Sequence, residues 1–339
     1  MIRIGFVGAG LIGSERVRAT AALQASGYPL QAVGIVDAFA ANTAELTASI
    51  GTQPRADIDD LLVHKPDWIV VATPHDVAVP LVTKFLQAGV KVLVEKPLGR
   101  NLEEAKRIAA IASQGSLWVG QNFRFYRGIA AFMADVRARR FGPLSSISLQ
   151  FGHGAGPKDK TSWKLDPVRA GGGVLIDPGI HLLDLMNLLE DRPPDFIGGT
   201  AWSGFWNTGI EEDIHFIAAG SACPVYDVKI SIVRWRSLFR LEAHGLEGYG
   251  IVEGRGRSYG PQRYVRGPRW GWQNHASQAA AEELVVETDG TDVFVDEMRM
   301  LLFGEGEVAG ARPCSVDEAL ANMRLLDDLR ARIGIRQSL

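Results

Sequence analysis

The chain has 339 residues and a formal net charge of −3, with 36 Lys and Arg set against 39 Asp and Glu. That balance gives no overall attraction to nucleic acid or to an anionic membrane, and no apolar stretch reaches the length that spans a bilayer. Hydrophobic residues make up 46% and charged residues 22%, an ordinary globular composition with room for two domains and a large core.

Ile2 to Val7 is an apolar run of strand length, interrupted by Arg3, so no secretory leader is expected. It leads through Gly8-Ala9-Gly10-Leu11-Ile12-Gly13 into a helical stretch from Ser14 to Ala25. Strand, glycine turn and helix in that order give a dinucleotide fingerprint its meaning. Gly8 allows the tight turn, Gly10 lets backbone approach a pyrophosphate, and Gly13 allows close packing of helix on strand. The start of the helix, with Leu11 and Ile12, offers free N–H groups to the phosphates. A second strand, Ala32 to Val36, ends in Asp37. A carboxylate there accepts hydrogen bonds from a free ribose diol and repels a 2′-phosphate. Ala38 and Phe39 supply no cation, so NAD is expected in preference to NADP, with Arg55 able to approach from another loop.

A further strand, Trp68 to Ala72, ends in Thr73-Pro74-His75. A helix is predicted over Pro80 to Ala88, stopped by Gly89, and it precedes Val92-Leu93-Val94-Glu95-Lys96-Pro97. Ligands of open parallel sheets gather beyond the carboxyl ends of strands, which makes Thr73, Pro74, His75, Glu95 and Lys96 candidate cofactor contacts. Lys96 would be a cation near the nicotinamide; a solvated Glu95–Lys96 pair is the plainer alternative. Repeated strand–helix units run to about Asn122, within Gly120-Gln121-Asn122-Phe123-Arg124-Phe125. A helix over Ala130 to Arg139 and an alternating strand from Leu144 to Phe151 follow.

Next come Trp163-Lys164-Leu165-Asp166-Pro167 and Gly171-Gly172-Gly173-Val174-Leu175-Ile176-Asp177-Pro178-Gly179-Ile180-His181. Asp177 and His181 are about one helical turn apart, so at the start of a helix both face the same space. Pro178 suits the first helical position. A histidine held beside a carboxylate can move a proton near neutral pH; a plain cap and a core histidine are the alternatives. Beyond Pro194, runs such as Val228 to Val233 and Leu238 to Ala243 alternate as a sheet with one buried face does.

Residues 254–272 hold Arg255, Arg257, Arg263, Arg266 and Arg269 among Tyr259, Tyr264, Trp270 and Trp272. Glycine and proline spacing predicts a long loop or irregular excursion there. Arginine forks and aromatic faces suit a nucleotide-linked sugar, and equally a subunit interface, which is slightly favoured. Trp202, Phe205 and Trp206 form another aromatic cluster, and a last helix is predicted over Ser315 to Ile333. Cys223 and Cys314 follow no spacing pattern and fit a reduced, cytoplasmic setting. The seven histidines are scattered, and no metal site is expected.

Taken together, GAGLIG, ATPH, EKP and GGGVLIDPGIH resemble, in order and spacing, the Gfo/Idh/MocA family of oxidoreductases. The resemblance implies an α/β chain with an N-terminal Rossmann NAD-binding domain over 1–122, on which the helix over 315–333 packs back. It further implies a C-terminal α+β domain over 123–314 with a large, mostly antiparallel sheet. The activity implied is oxidation of a sugar or polyol hydroxyl, or reduction of the ketone, with NAD or NADP. Lys96 would stabilise charge on the reacting oxygen, and Asp177 and His181 would serve as the proton-handling pair. Asn122 and Arg124 would be substrate-side or cofactor-side residues, with interdomain packing as the alternative, and Trp163 joins the substrate candidates. Relatives often carry a histidine a few residues after Thr-Pro; here position 78 is alanine, leaving His75 to serve instead or to line the cleft. A homodimer or homotetramer is implied as well. An NAD-recycling hydrolase or epimerase and a non-catalytic dinucleotide sensor are the competing readings.

Overall fold

Continuous apolar runs become strands buried on both faces, and in this chain they build a parallel sheet first. The computed structural model describes residues 1–39, 43–156, 162–306, 308 and 310–337. The chain divides into unit 1, comprising Met1–Asn122, Asp292–Glu307 and Arg312–Met323, and unit 2, comprising Phe123–Thr291, Val308–Ala311 and Arg324–Leu339.

Unit 1 begins with β1 (Ile2–Val7), α1 (Leu11–Ala25) and β2 (Leu30–Val36), followed by the short helices α2 (Ala44–Ser49) and α3 (Ile58–Val63). Then come β3 (Trp68–Val71), α4 (His75–Gln87), β4 (Lys91–Glu95), α5 (Leu102–Ile111) and β5 (Leu117–Gly120). The strands pair in parallel in the order β5-β4-β3-β1-β2. The order reverses between β1 and β3, so their carboxyl ends form a topological switch point, where open sheets bind ligands. Two boundaries differ from expectation. Helix α1 opens at Leu11 rather than Ser14. Helix α4 opens at His75, after the extended cap Pro74, with Pro80 in its second turn, where the i→i−4 bond to Asp76 O is forgone.

Helix α9 (Val293–Phe303), which the sequence placed within the second domain, clusters with unit 1. Its Met298 joins Ile4, Phe6, Val17, Leu23, Ile35 and Trp68 in one core. Its Glu297 meets Arg16 of α1, whose Nη1 lies 2.6 Å from Glu297 Oε2 and whose Nε lies 2.7 Å from Glu95 Oε1. Arg16 is fully buried. Burial opposes its charge, but the two carboxylates outweigh burial and hold its pKa above the ordinary value. A short strand β14 (Cys314–Ser315) closes the sheet against β5, antiparallel.

Unit 2 carries α6 (Arg127–Arg137), β6 (Leu144–Gly152), α7 (Pro167–Ala170), α8 (Ile180–Leu189), β7 (Asp195–Ser203), β8 (Asp213–Ala219) and β9 (Tyr226–Ser231). It continues through β10 (Leu238–Gly245), β11 (Gly248–Glu253), β12 (Gln262–Pro268) and β13 (Glu283–Thr288). Beyond helix α10 (Val316–Arg332), which starts with unit 1 residues and ends with unit 2 residues, comes β15 (Ile335–Gln337). One sheet runs β13-β12-β11-β10-β6-β9-β8-β7-β15, antiparallel except at β6–β9 and β7–β15. Alternation buries Ile214, Phe216 and Ala218 of β8 and Phe239, Leu241 and Ala243 of β10 on one face.

Within the segment 254–272, expected to be a long loop or irregular excursion, Gln262–Pro268 forms the strand β12 and the rest is turn and irregular chain. Arg263 pairs in register with Glu253 and Glu287, and Arg266 faces Glu283. Partners distant in sequence make β12 despite its glycines and prolines, leaving a short turn before it and irregular chain after it. Both cysteines are free and buried, and burial pushes the Cys223 thiol up to about 11. No helix among the described residues is long and apolar enough to cross a membrane.

Candidate active site

The dinucleotide candidates of unit 1 converge on the switch point. Gly8 adopts φ +95°, and a Cβ there would meet the Ala72 carbonyl oxygen, beyond β3, at 2.4 Å. A Cβ on Gly13 would lie 2.0 Å from Gly8 O, so the first turn of α1 rests directly on the loop. Gly10, by contrast, faces open space, with nothing within 4 Å of such an atom. It caps α1 with no side-chain hydrogen bond and no acidic residue in the first turn. Leu11 and Ile12 follow directly, Leu11 strongly exposed. A helix start of this kind suits a phosphate.

Asp37 reaches back to the same turn: its Oδ2 accepts the Ala9 N–H at 2.6 Å and its Oδ1 the Phe39 N–H at 2.8 Å. Arg55 is directed elsewhere, with Nε donating to Val33 O at 2.9 Å. Thr73 and Pro74 follow β3, and His75 opens α4 as a buried residue. Thr73 Oγ1 and Asn122 Oδ1 are buried without a hydrogen-bond partner among the described residues, a costly state that a ligand's polar groups would relieve. These residues fit a dinucleotide. Glu95 is engaged differently from expectation: its carboxylate is held by buried Arg16, which fixes the end of β4 where Lys96 follows.

The proton-handling candidates belong to unit 2. The expected helical geometry is corrected here: α8 begins only at Ile180, and Asp177-Pro178 precedes it in a turn. The turn is tied by Asp177 N–H to Gly173 O at 3.0 Å and Gly179 N–H to Val174 O at 2.7 Å. Gly173 is required because its Cβ would strike the Glu211 carbonyl oxygen at 2.0 Å. His181, nearly buried, stacks on Phe123 with ring centroids 4.1 Å apart and planes parallel to 1°. Asp177 Oδ2 lies 2.8 Å from Lys164 Nζ. Trp163, half-buried, lies beneath the same ammonium at 5.9 Å.

Arg124 is buried, with Nε and Nη2 on Asp184 Oδ2 and Oδ1 at 2.7 and 2.6 Å. This bidentate pair ties the chain after Asn122 to α8, a framework role in place of an exposed substrate contact. Lys164 and Phe123 were not among the sequence candidates, whereas Arg255 and Tyr259 belong to the 254–272 segment that was read as ligand-binding or interface. Arg255 lies over Phe123 at 5.4 Å, Phe151 at 5.1 Å and Tyr259 at 4.4 Å. Lys164 sits inside the Trp163 motif, where its charge was the available signal; Phe123 reaches His181 only through the fold. Among the described residues, no group of three or more His, Cys, Asp or Glu is placed to hold a metal ion.

Residues 2–123 match the description "Oxidoreductase family, NAD-binding Rossmann fold", and residues 131–249 match "GFO/IDH/MocA C-terminal domain". The chain is 29% identical over 195 residues to the rhizopine catabolism protein MocA of Rhizobium meliloti, covering 57% of this chain and 58% of that protein. The chain spans somewhat more than half the length of the curated relatives it matches. Among solved structures, a 3-ketoreductase from Actinomadura kijaniata in complex with NADP and TDP-benzene superposes with a TM-score of 0.79 at 18% identity, covering 100% of this chain and 99% of that one. A UDP-N-acetylglucosamine 3-dehydrogenase from Acidithiobacillus ferrooxidans gives a TM-score of 0.74 at 20% identity, covering 98% and 97%. At these identities the likeness shows the shared fold.

Proposed function

Because the chain belongs to the Gfo/Idh/MocA family of oxidoreductases, we propose that it is an NAD(P)-dependent dehydrogenase. It would act on a secondary hydroxyl, or the corresponding ketone, of a sugar, polyol or nucleotide-linked sugar. The observation that carries this reading is the open Gly10 backbone at the switch point, with Asp37 clamped beside it, in a chain that keeps Lys96, Asp177 and His181. Gly8, Gly10, Leu11, Ile12 and Gly13 would hold the pyrophosphate, Asp37 the adenosine ribose, and Thr73, Pro74, His75 and Asn122 the remainder of the cofactor. Glu95 would act through its neighbour, keeping Lys96 in place. The bound nicotinamide would supply the hydride acceptor.

In oxidation, neutral His181 takes the proton of the reacting hydroxyl as the C–H hydride departs, leaving a ketone. Lys96 donates a hydrogen bond to that oxygen and lowers the cost of its developing negative charge. Phe123 keeps the imidazole in one plane, and Asp177 favours its protonated form. Lys164 holds the Asp177 carboxylate; neither it nor Phe123 was indicated by sequence spacing. NAD is the preferred cofactor in this reading, since Asp37 faces the ribose end with no cation beside it on the same strand end. Assembly as a homodimer or homotetramer accompanies it, on the strength of the family resemblance.

The test is to titrate the purified protein with NAD and NADP and follow reduced-nicotinamide absorbance across polyols, free sugars and nucleotide sugars. We expect NADH from at least one class. Lys96→Ala should keep dinucleotide affinity within about threefold while turnover falls by about 10³ or more. Loss of dinucleotide affinity in that variant would remove Lys96 from the chemistry. Sugar conversion by retained cofactor with no net NADH would establish the recycling hydrolase or epimerase instead, and tight binding with no conversion of any class a sensor.

A further inference from the structure

The arginines of the 254–272 segment do not share one role. Arg263 pairs with Glu287 at 3.3 Å, and Arg266 with both Glu283 at 2.8 Å and Asp135 at 2.7 Å. Arg269 donates to Leu246 O at 3.0 Å and covers Trp270. These three serve the sheet and its neighbouring chain. Arg255 is different. Among the described residues no carboxylate lies at ion-pair distance from it; its partners are the Tyr126 hydroxyl at 3.1 Å, the Tyr259 hydroxyl and three aromatic rings. Its Nε is buried with no hydrogen-bond partner among the described residues. A half-buried guanidinium with only neutral partners is uncompensated, and an oxyanion is the group that its planar fork fits best.

Its placement connects it to the proton-handling residues. The Phe123 ring that Arg255 lies over is the ring on which His181 stacks, so guanidinium and imidazole share one aromatic neighbour. Tyr259, under the same guanidinium, interacts electrostatically with Asp177. Burial raises the Tyr259 pKa above its ordinary value, against the opposing effect of Arg255, so the hydroxyl remains a donor.

The turn that presents both residues is held firmly. Gly254, Gly256, Arg257 and Gly260 all have φ between +53° and +86°. A Cβ on Gly256 would strike Asp289 O at 2.1 Å, and Gly256 N–H bonds Gly260 O at 2.7 Å. Glycine takes positive φ without steric cost, so three of these positions suit the turn; Arg257 alone is strained there, and such strain persists where the surroundings enforce it.

We propose that Arg255, assisted by Tyr259, binds an oxyanion carried by the sugar substrate, a phosphoryl group or a carboxylate, and thereby selects anionic sugar derivatives over their neutral parents. The proposal rests on the assignment of Asp177 and His181 to the reacting hydroxyl. It narrows the substrate class and moves this turn from the subunit-interface reading to the ligand.

The experiment uses the full chain with NAD present. Glucose, galactose and mannose, their 6-phosphates, their uronates and UDP-glucose are titrated calorimetrically, and NADH absorbance is followed in parallel. Phosphates against uronates separate the two oxyanions, and UDP-glucose places the anion on the anomeric side. At least one anionic probe should bind about 30-fold tighter than its neutral parent, the range expected of a charged hydrogen-bonded contact. Arg255→Gln should abolish that margin, raising KM for the anionic sugar far more than it lowers kcat, while neutral-sugar binding changes less than about twofold. Arg255→Lys, which keeps the charge and loses the fork, should be intermediate, and it guards against misfolding of the first variant.

Anions bound no tighter than neutral parents, or anionic and neutral probes weakened equally by both substitutions, would overturn the proposal. Arg255-dependent anion binding with no NADH from any sugar would leave the subsite standing and overturn the dehydrogenase reading. Equal NADH formation from neutral and anionic sugars would do the reverse.

Discussion

Asp37 uses both carboxylate oxygens on backbone N–H groups, one in the glycine turn and one just after β2, so its charge is fixed beside the turn where the proposed reading puts the ribose end of the dinucleotide. A 2′-phosphate brought there meets that charge at close range. NAD should therefore exceed NADP by about tenfold or more in kcat/KM, and Asp37→Asn should shrink the ratio mainly by improving NADP. Steady-state kinetics with both cofactors decide it; an unchanged ratio would show that selection lies elsewhere. His181 gives a second residue-level expectation. In the proposed mechanism oxidation uses the neutral imidazole, so kcat/KM should rise with pH along the acid limb and reduction should show the opposite slope. His181→Ala should flatten that limb and lower the rate by about 10²–10⁴. A profile unchanged in shape, with a deuterium isotope effect showing that hydride transfer limits the rate, would exclude the role. The spacing of Asp177 and His181 was visible in the sequence because it is arithmetic along one chain segment. Their companions Lys164 and Phe123 were not, because an ion pair across a turn and a stacked ring depend on where the fold returns the chain.

Among elements, β12 shows why local composition misled. Its glycines and prolines argue for a loop, yet Arg263 and Arg266 find acidic partners on β13, and Tyr264 and Arg266 both reach Asp135 of α6, at 2.6 and 2.7 Å. Pairings of this kind have no signature within a short window. The same cluster makes a prediction about acid stability. Burial would raise the Asp135 pKa, but hydrogen bonds from Tyr264, Arg266 and Arg140 outweigh it and hold the carboxyl below its ordinary value. A carboxylate depressed in the folded state contributes stability that is fully present above about pH 4 and is lost as pH falls through the lowered value. Asp135→Asn should cost about 1–2 kcal/mol at neutral pH, since it removes the carboxylate charge shared by Tyr264, Arg266 and Arg140 while Arg266 keeps Glu283. It should also lose stability less steeply than the parent below about pH 4. Urea denaturation of both proteins from pH 7 to pH 3 measures the two slopes, and parallel curves would remove Asp135 from the acid response.

At the scale of the molecule, strand–helix repetition and strand alternation are local patterns, so a Rossmann unit and a sheet with one buried face were legible in the sequence, while the large, mostly antiparallel character of the second sheet was implied by the family resemblance. What the sequence left open was the return of the chain. Nothing in the apolar pattern of α9 says which unit it serves; that is decided by Glu297 meeting buried Arg16 and by Met298 entering the core with Val17 and Ile35. Unit 1 is therefore discontinuous, and a fragment of residues 1–122 should be defective although it contains every candidate dinucleotide contact. Without α9, Arg16 keeps Glu95 and loses Glu297 while its apolar surroundings open to water. Without β14, strand β5 becomes an unprotected sheet edge. Loss of one partner from a buried ion-pair cluster alone costs about 3–5 kcal/mol, a large share of a domain's stability. We expect the fragment to unfold without a sharp calorimetric transition and to bind NAD about tenfold or more weakly than the full chain. Adding residues 292–323 through a flexible linker should restore both properties. A cooperative transition and native affinity in the 1–122 fragment would show instead that the parallel sheet and its first five helices are sufficient, and that the Arg16 cluster stabilises a unit already folded.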